Sequence, residues 1–280
     1  MRTLYVVATP IGNLEDVTLR ALHILREVSL VAAEDTRTTR KLLAHHGIRQ
    51  RLLSYNEHNM RGRTPQILDA LAAGDVALVS EAGTPGISDP GYELLVAAIG
   101  AGYTVVPVPG PSAVIAALAV SALPSRQFTF VGFLPRRAGE RRRLLASLAG
   151  EPRTIVAFES PHRVRQSLAD LLAAWGDRRI AVCRELTKAF EEVFRDRVTG
   201  ALDHFREPRG EFTLVIEGAP PATPASLPLD DFREELRRLK AQGVPAREAV
   251  SQTARRSGLR RREVYRLWVE TPPPPAAPEQ

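Results

Sequence analysis

A chain of two α/β halves followed by a helical extension is predicted by three observations on this 280-residue sequence. Short β-branched runs alternate with helical periodicity from the start, and the alternation restarts after a polar, Pro-containing connection at 121–127. Every Gly/Pro cluster within 1–219 also follows a predicted strand directly. LYVVAT (4–9) reads as a buried strand, and Leu19, Leu22, Leu25 and Val28 mark one face of a helix with Asp16 as its N-cap. SLVAAE (29–34) is a second strand, 35–47 a helix ended by Gly47, and VALVS (76–80) a third strand. VVPVP (105–109) is a fourth, followed by an apolar helix from Pro111, a residue suited to a first helical turn. Strands spaced by helices imply a mostly parallel sheet.

In the second half, strands are predicted at 128–133, 154–159, 179–185, 191–198 and 212–217, with helices at 139–149, 161–175 and 200–206. Only one short helix separates the last two strands, which predicts antiparallel members at that end. The resulting organisation is an N-terminal α/β domain (1–120), a second α/β domain (121–219), a Pro-rich linker (220–229), a helical basic extension (230–270) and a disordered tail (271–280).

Composition narrows the function classes. With 44% hydrophobic and 25% charged residues the chain is globular, not collagenous, disordered or a disulfide scaffold. A lone cysteine, Cys183, cannot pair within the chain or build a metal cluster, which points to a reducing compartment. The longest apolar stretch, Ser112 to Leu123, falls short of the roughly 20 residues a membrane span needs. The first apolar run breaks at Pro10 and Gly12 with no cleavage pattern, so a cytoplasmic location is expected.

The net charge is +6, and three lysines (Lys41, Lys188, Lys240) leave 35 arginines, a bias that GC-rich coding explains. Placement is more informative. Residues 1–134 are neutral and 154–225 carry −1, whereas 135–153 and 226–270 each carry +4. Arg136, Arg137, Arg141, Arg142 and Arg143 form the first cluster, and Arg255, Arg256, Arg260, Arg261, Arg262 and Arg266 the second. Guanidinium groups bind phosphate in bidentate fashion, so the first cluster is a candidate surface for a polyanion such as RNA. SGLRRREVYRL (257–267) reads as a helix-turn-helix recognition helix with Ser257–Gly258 in the turn, and for this cluster a solvated face is an equally good account.

Five loops follow strands: TPIGN (9–13), SEAGTPGISDPG (80–91), PVPGPSA (107–113), GFLPRR (132–137) and FESPHR (158–163). In open α/β sheets small molecules bind outside the carboxyl ends of the strands. None of the loops ends in Gly-Lys-Ser/Thr and no strand is followed by G-x-G-x-x-G, which excludes the common nucleoside triphosphate and dinucleotide signatures. Pro-rich loops offer carbonyls and few N–H groups, and Glu34, Asp35, Glu81 and Asp89 lie nearby in sequence. A cationic ligand such as a sulfonium cofactor suits such loops better than a phosphate.

TPIGNLEDVTLRAL, AAEDTRTTRKLL, SYNEHN, LVSEAGTPGISDPG, VPVPGPSAVIAAL, FVGFLPR, FESPHR, RELTKAFEE and GEFTLVIEG, in this order from Leu4 to about Gly218, resemble the ribosomal RNA small-subunit methyltransferase I family of the tetrapyrrole methylase superfamily. The extension resembles that family's C-terminal helices more weakly. The resemblance implies a tetrapyrrole-methylase-like α/β fold with S-adenosylmethionine in a cleft between the domains, a homodimer, and 2′-O-methylation of a cytidine ribose in the decoding region of 16S ribosomal RNA. By motif position, the cofactor residues are Thr9, Pro10, Ala82, Gly83, Thr84, Pro85, Ile87, Ser112, Ala113, Phe158 and Glu159. The sequence departs from the family at Glu81, where aspartate is usual, and at Gly86, where leucine is common and glycine is expected to loosen the loop. The superfamily's tetrapyrrole enzymes give one alternative function, although their first loop is a G-x-G-P-G-D turn where this chain has ATPIGN. A non-catalytic RNA-binding module gives another.

A ribose hydroxyl is a weak acid, so a base would assist the transfer. Candidates are Glu34, Asp35, Glu57, His58, Glu159 and His162, with N-capping of the 36–46 helix the favoured role for Asp35. His45 and His46 point to different helix faces and make no metal pair.

Overall fold

The computed structural model describes residues 2–220, 229–257 and 259–272. The chain divides into two compact units, Met1–Gly218 and Ala219–Gln280. Within the first unit, β1 (Thr3–Val7), β2 (Leu30–Ala33), β3 (Leu52–Ser54), β4 (Val76–Val79) and β5 (Thr104–Val108) form a fully parallel sheet in the order β3-β2-β4-β1-β5. Every residue of β2 and β4 is buried, which is why these strands read as unbroken apolar runs. Helices α1 (Leu19–Glu27) and α2 (Thr36–His45) pack on one face, around Leu25, Val31 and Val79. Helices α3 (Met60–Ala73) and α4 (Tyr92–Gly100) pack on the other, around Leu4, Leu71 and Leu94.

The start of α1 corrects the sequence reading. Asp16 belongs to a short 3₁₀ turn, Leu14–Asp16, capped by Asn13, and α1 is capped by Thr18, whose hydroxyl accepts from the Ala21 N–H at 3.1 Å. A polar residue directly before the helix wins over one three positions earlier because only it can reach an unpaired first-turn N–H.

Helix α5 (Ala113–Val120) was assigned to the first half but packs on the second sheet, its Val114, Ala117 and Leu118 against Val156, Ala181, Cys183 and Val215. That sheet comprises β6 (Phe128–Phe133), β7 (Thr154–Glu159), β8 (Arg179–Arg184), β9 (Glu192–Arg197) and β10 (Phe212–Ile216). Its order is β6-β7-β10-β8-β9, with β6 and β7 parallel and every other pair antiparallel. The antiparallel members are therefore present, but β9 pairs with β8 and not with β10. The final strand enters the middle of the sheet, between β7 and β8. Helices α6 (Ala138–Ser147), α7 (Pro161–Trp175) and α8 (Val198–His204) cover the face opposite α5, around Leu145, Leu168, Val182 and Leu214.

Among its described residues the second unit, expected to be helical, contains three helices, α9 (Leu229–Ala241), α10 (Ala246–Ser257) and α11 (Arg261–Glu270), packed around Leu236, Val250, Val264 and Leu267. Gly243, at φ +72, ends α9. Its N–H bonds the Lys240 carbonyl at 3.1 Å while the Val244 N–H bonds that of Leu239, also at 3.1 Å, the double closure of a Schellman motif. Most of the predicted linker and tail (221–228 and 273–280), and Gly258 of the predicted turn, lie outside the described residues. Among the described residues no helix is long and apolar enough to cross a membrane, and no group of His, Cys, Asp and Glu is arranged to hold a metal.

Candidate active site

The connections leaving β1 and β4 depart in opposite directions from neighbouring strands, β1 toward β2 and β4 toward β5. Such a reversal opens a crevice at the carboxyl edge of the sheet. Here the two loops are clasped together: the Thr9 N–H donates to the Gly83 carbonyl at 2.8 Å, and the Gly83 N–H returns a bond to the Thr9 carbonyl at 3.0 Å. Gly83 holds φ +78, and a Cβ on it would lie 3.7 Å from Ile11 and 4.0 Å from the Pro111 carbonyl. The loop after β5 is equally close, since a Cβ on Gly110 would come within 2.9 Å of that of Ala8. Thus Thr9, Gly83 and the stretch leading into Ser112, which occupies the N-cap position of α5 without capping it, converge at one sheet edge.

Two loops of the second half meet these. Gly132 (φ +67) sits in the irregular stretch of β6 between Phe130 and Phe133, where a Cβ would approach the Ser88 hydroxyl to 3.1 Å. On the other side the Asn13 N–H donates to the Thr187 hydroxyl at 3.1 Å, and Gly12 has no room for a Cβ beside Thr187 and Lys188. The 80–91 and 9–13 loops are therefore each in contact with a loop of the second sheet. Phe158, half-buried, stacks its edge on Phe130 and tilts against Phe133, at centroid distances of 5.1 and 5.3 Å. Within 80–91, Gly86 lies at φ +81, where glycine is the unstrained residue; it does more than loosen the loop as expected. Ser88 is held at φ +63 in the same loop.

Carboxylates gather at this edge. Glu34, at the end of β2, accepts the Glu81 N–H at 3.1 Å, and burial, with the charges of Glu81, Glu57 and Asp35, raises its pKa. Asp89 is pushed up from 3.8 to about 7, chiefly by burial and then by the charge of Glu34, against a lowering hydrogen bond from Ser80. In the sequence Asp89 shows only as a negative charge near the loops. Its raised pKa depends on a half-buried place near Glu34, 55 positions away, which no local pattern reports.

Several predicted residues are employed elsewhere. Asp35 caps α2, accepting the Arg37 N–H at 2.7 Å, and its hydrogen bonds with the Arg37 side chain and N–H lower its pKa, so it is a poor base. Glu159 is 2% exposed: it accepts the Ser160 N–H at 2.7 Å, the Ser167 hydroxyl at 2.5 Å and the Arg163 guanidinium at 2.6 Å. A carboxylate with these three partners, at the end of β7, is engaged in anchoring the start of α7. His58 and His162 are both exposed, the first with its N–H on the Asn56 side chain. Among the arginines, Arg141 is 2% exposed and gives Asp170 two hydrogen bonds, at 2.8 and 2.6 Å. That pair ties α6 to α7 and removes Arg141 from the candidate RNA surface. Arg142 also reaches Asp170, at 3.0 Å, though its side chain is 64% exposed. Arg136, Arg137 and Arg143 are exposed, with Arg137 beside Glu140 at 3.3 Å.

Comparison with known proteins accords with this geometry. The family model for tetrapyrrole (corrin/porphyrin) methylases matches residues 3–201. A Synechocystis sp. protein named "Ribosomal RNA small subunit methyltransferase I" is 48% identical over 96% of this chain and 98% of its own length. A Thermotoga maritima protein of the same name is 51% identical over 78% of this chain and 99% of its own length. The solved uroporphyrin-III C-methyltransferase from Thermus thermophilus shares the fold, with a TM-score of 0.57 and 21% identity over 77% of this chain and 97% of that one. The chain belongs to the ribosomal RNA small subunit methyltransferase I family, a branch of the tetrapyrrole methylases.

Proposed function

We propose that this methyltransferase uses S-adenosylmethionine to methylate the 2′-hydroxyl of a cytidine ribose in the decoding region of 16S ribosomal RNA, in the cytoplasm. The observation that carries the reading is the near full-length match to proteins named for that class of substrate. The residues present suit the cofactor. Clasped loops rich in proline (Pro10, Pro85, Pro90, Pro109, Pro111) offer carbonyls and few N–H donors, and Glu34, Glu81 and Asp89 add negative charge, favourable to a sulfonium and an ammonium. Thr9, Pro10, Ala82 to Pro85, Ile87, Ser112, Ala113 and Phe158 are the residues we assign to holding it; Glu159, the last residue of β7, supports them. When bound, the cofactor supplies a methyl group on a good leaving group.

The protein must then orient the ribose and accept a proton. Asp89, basic enough to be half protonated near neutrality and bonded by Ser80, is the side chain we assign to that proton. Arg136, Arg137 and Arg143 are assigned to phosphate. A homodimer is supported by the exposed apolar stripe Tyr92, Val96 and Ile99 on α4.

The deciding experiment offers labelled S-adenosylmethionine with small ribosomal subunits, naked RNA or a tetrapyrrole precursor; label entering only the tetrapyrrole sinks the RNA assignment. Asp89→Asn is expected to lower kcat by about 10²–10⁴-fold and to remove a rise in rate through pH 7. Stability supplies a second readout. Because the folded-state pKa of Asp89 is raised, the folded chain holds a proton the unfolded chain releases, so stability falls as pH climbs from about 4 to about 7. Glu34 acts in the same direction. In Asp89→Asn, urea midpoints at pH 5 and pH 8 should differ less than in the parent.

A further inference from the structure

The second unit has no place in the chemistry described so far. The family model ends at residue 201, and the Thermotoga maritima relative is matched almost end to end by a share of this chain equal to the first unit alone. The second unit is thus an addition to a complete methylase body, and its charge is unevenly spread. Helix α9 is neutral, with four basic and four acidic residues, whereas 246–270 carries seven arginines against three glutamates.

The arginines are also arranged. An open groove of about 900 Å³ is lined by Arg238, Arg247, Arg255 and Arg261 together with Ser251 and Gln252. Arg255 from α10 and Arg261 from α11 donate to the same hydroxyl, that of Ser251, at 3.3 and 3.2 Å. Among the described residues none of these four arginines makes an ion pair. Two acidic side chains, Glu235 and Glu248, also line the groove, and Glu248 accepts from Gln252 at 3.5 Å. Two like charges brought to one neutral oxygen form a site that an anion would stabilise. Beside it, Arg262, Tyr265, Arg266 and Val269 are exposed on one face of α11, Tyr265 by 56%, so cations alternate with a ring able to stack on a base.

We propose that this groove clasps the phosphodiester backbone of RNA through Arg255 and Arg261, giving the enzyme a second RNA contact outside the unit that holds the cofactor loops. The choice of RNA over another polyanion rests on the functional reading above. The test compares the full chain with Arg255→Glu/Arg261→Glu and with Arg255→Lys/Arg261→Lys. Binding of a fluorescent small-subunit RNA hairpin is followed by anisotropy from 50 to 300 mM salt, and labelled methyl transfer to small subunits is measured in parallel. Charge reversal is expected to weaken RNA binding by about 10- to 100-fold and to flatten the log–log salt slope by about 1.4 or more, the contribution of two phosphate contacts. KM for subunits should rise, while circular dichroism and cofactor affinity match the parent. The lysine variant should keep the slope while binding more weakly, because charge is retained and bidentate geometry is lost. An unchanged slope and affinity in the reversed variant overturns the groove even if RNA is methylated. A slope that depends on these arginines in a protein that labels only a tetrapyrrole overturns the catalytic reading and leaves the groove. Duplex DNA outcompeting the hairpin tenfold overturns the assignment to RNA.

Discussion

In α6, Arg141 and Arg142 both reach Asp170, whereas in α10 and α11, Arg255 and Arg261 reach, among the described residues, the Ser251 hydroxyl and no carboxylate. The two segments carry the same net charge in sequence, +4 each. In the first, part of it is neutralised to fasten α6 onto α7. In the second, Arg255 and Arg261 make no ion pair among the described residues, and a lysine fastens the helices: Lys240 donates from α9 to the Trp268 carbonyl at 2.6 Å and to that of Thr271, with its ammonium 4.8 Å from the Trp268 ring. Equal charge therefore divides into a fastening and an anion-binding share differently in each unit, and the counter-ion decides which share a residue joins.

This contrast breaks most easily at Arg141. Burial tends to raise the Asp170 pKa, but hydrogen bonds from Arg141 and Arg142 hold it below the ordinary value. Arg141→Ala leaves a carboxylate at 6% exposure with one half-solvated partner, and should cost about 3–5 kcal/mol, read as an earlier urea midpoint. Removal of Lys240 comes next. Lys240→Ala should destabilise the second unit by about 1–2 kcal/mol, through unpaired carbonyls at the end of α11 and the lost cation–π contact. Hydrogen exchange should report that loss in α9 and α11 with the sheets unaffected. The smallest effect is expected at Arg137, whose exposed pair with Glu140 contributes roughly 0–1 kcal/mol. Arg137→Ala should leave the midpoint near that of the parent and weaken RNA binding only several-fold. A large stability loss there would erase the distinction between the two kinds of arginine.

The parts of this picture that were legible in the sequence were those encoded locally. Strands such as β4 and β7 announce themselves as β-branched runs, and the clasped loops as Gly/Pro clusters directly after them. Strand β3 did not, because three half-buried residues carry no periodicity. Helix α3 has Gly62 and Pro65 inside it, and α4 is apolar nearly all round, so neither shows a helical stripe. The failures at the site share one cause: Arg141 is claimed by Asp170, 29 positions on, and Glu159 by Ser167 on a helix not yet placed. A charged residue displays its type in the sequence, but its partner is known only after the chain has folded.

The place of β10 has a consequence for synthesis. A chain emerging from the ribosome has all five strands of the first sheet once residue 108 is out, so that layer can close early. The second cannot. Until Phe212–Ile216 appears, β7 and β8 lack the strand that lies between them, and both present open hydrogen-bonding edges. A nascent chain stalled between residues 197 and 212 would be the form most exposed to strand exchange with its neighbours on a polysome, and the one most in need of a chaperone.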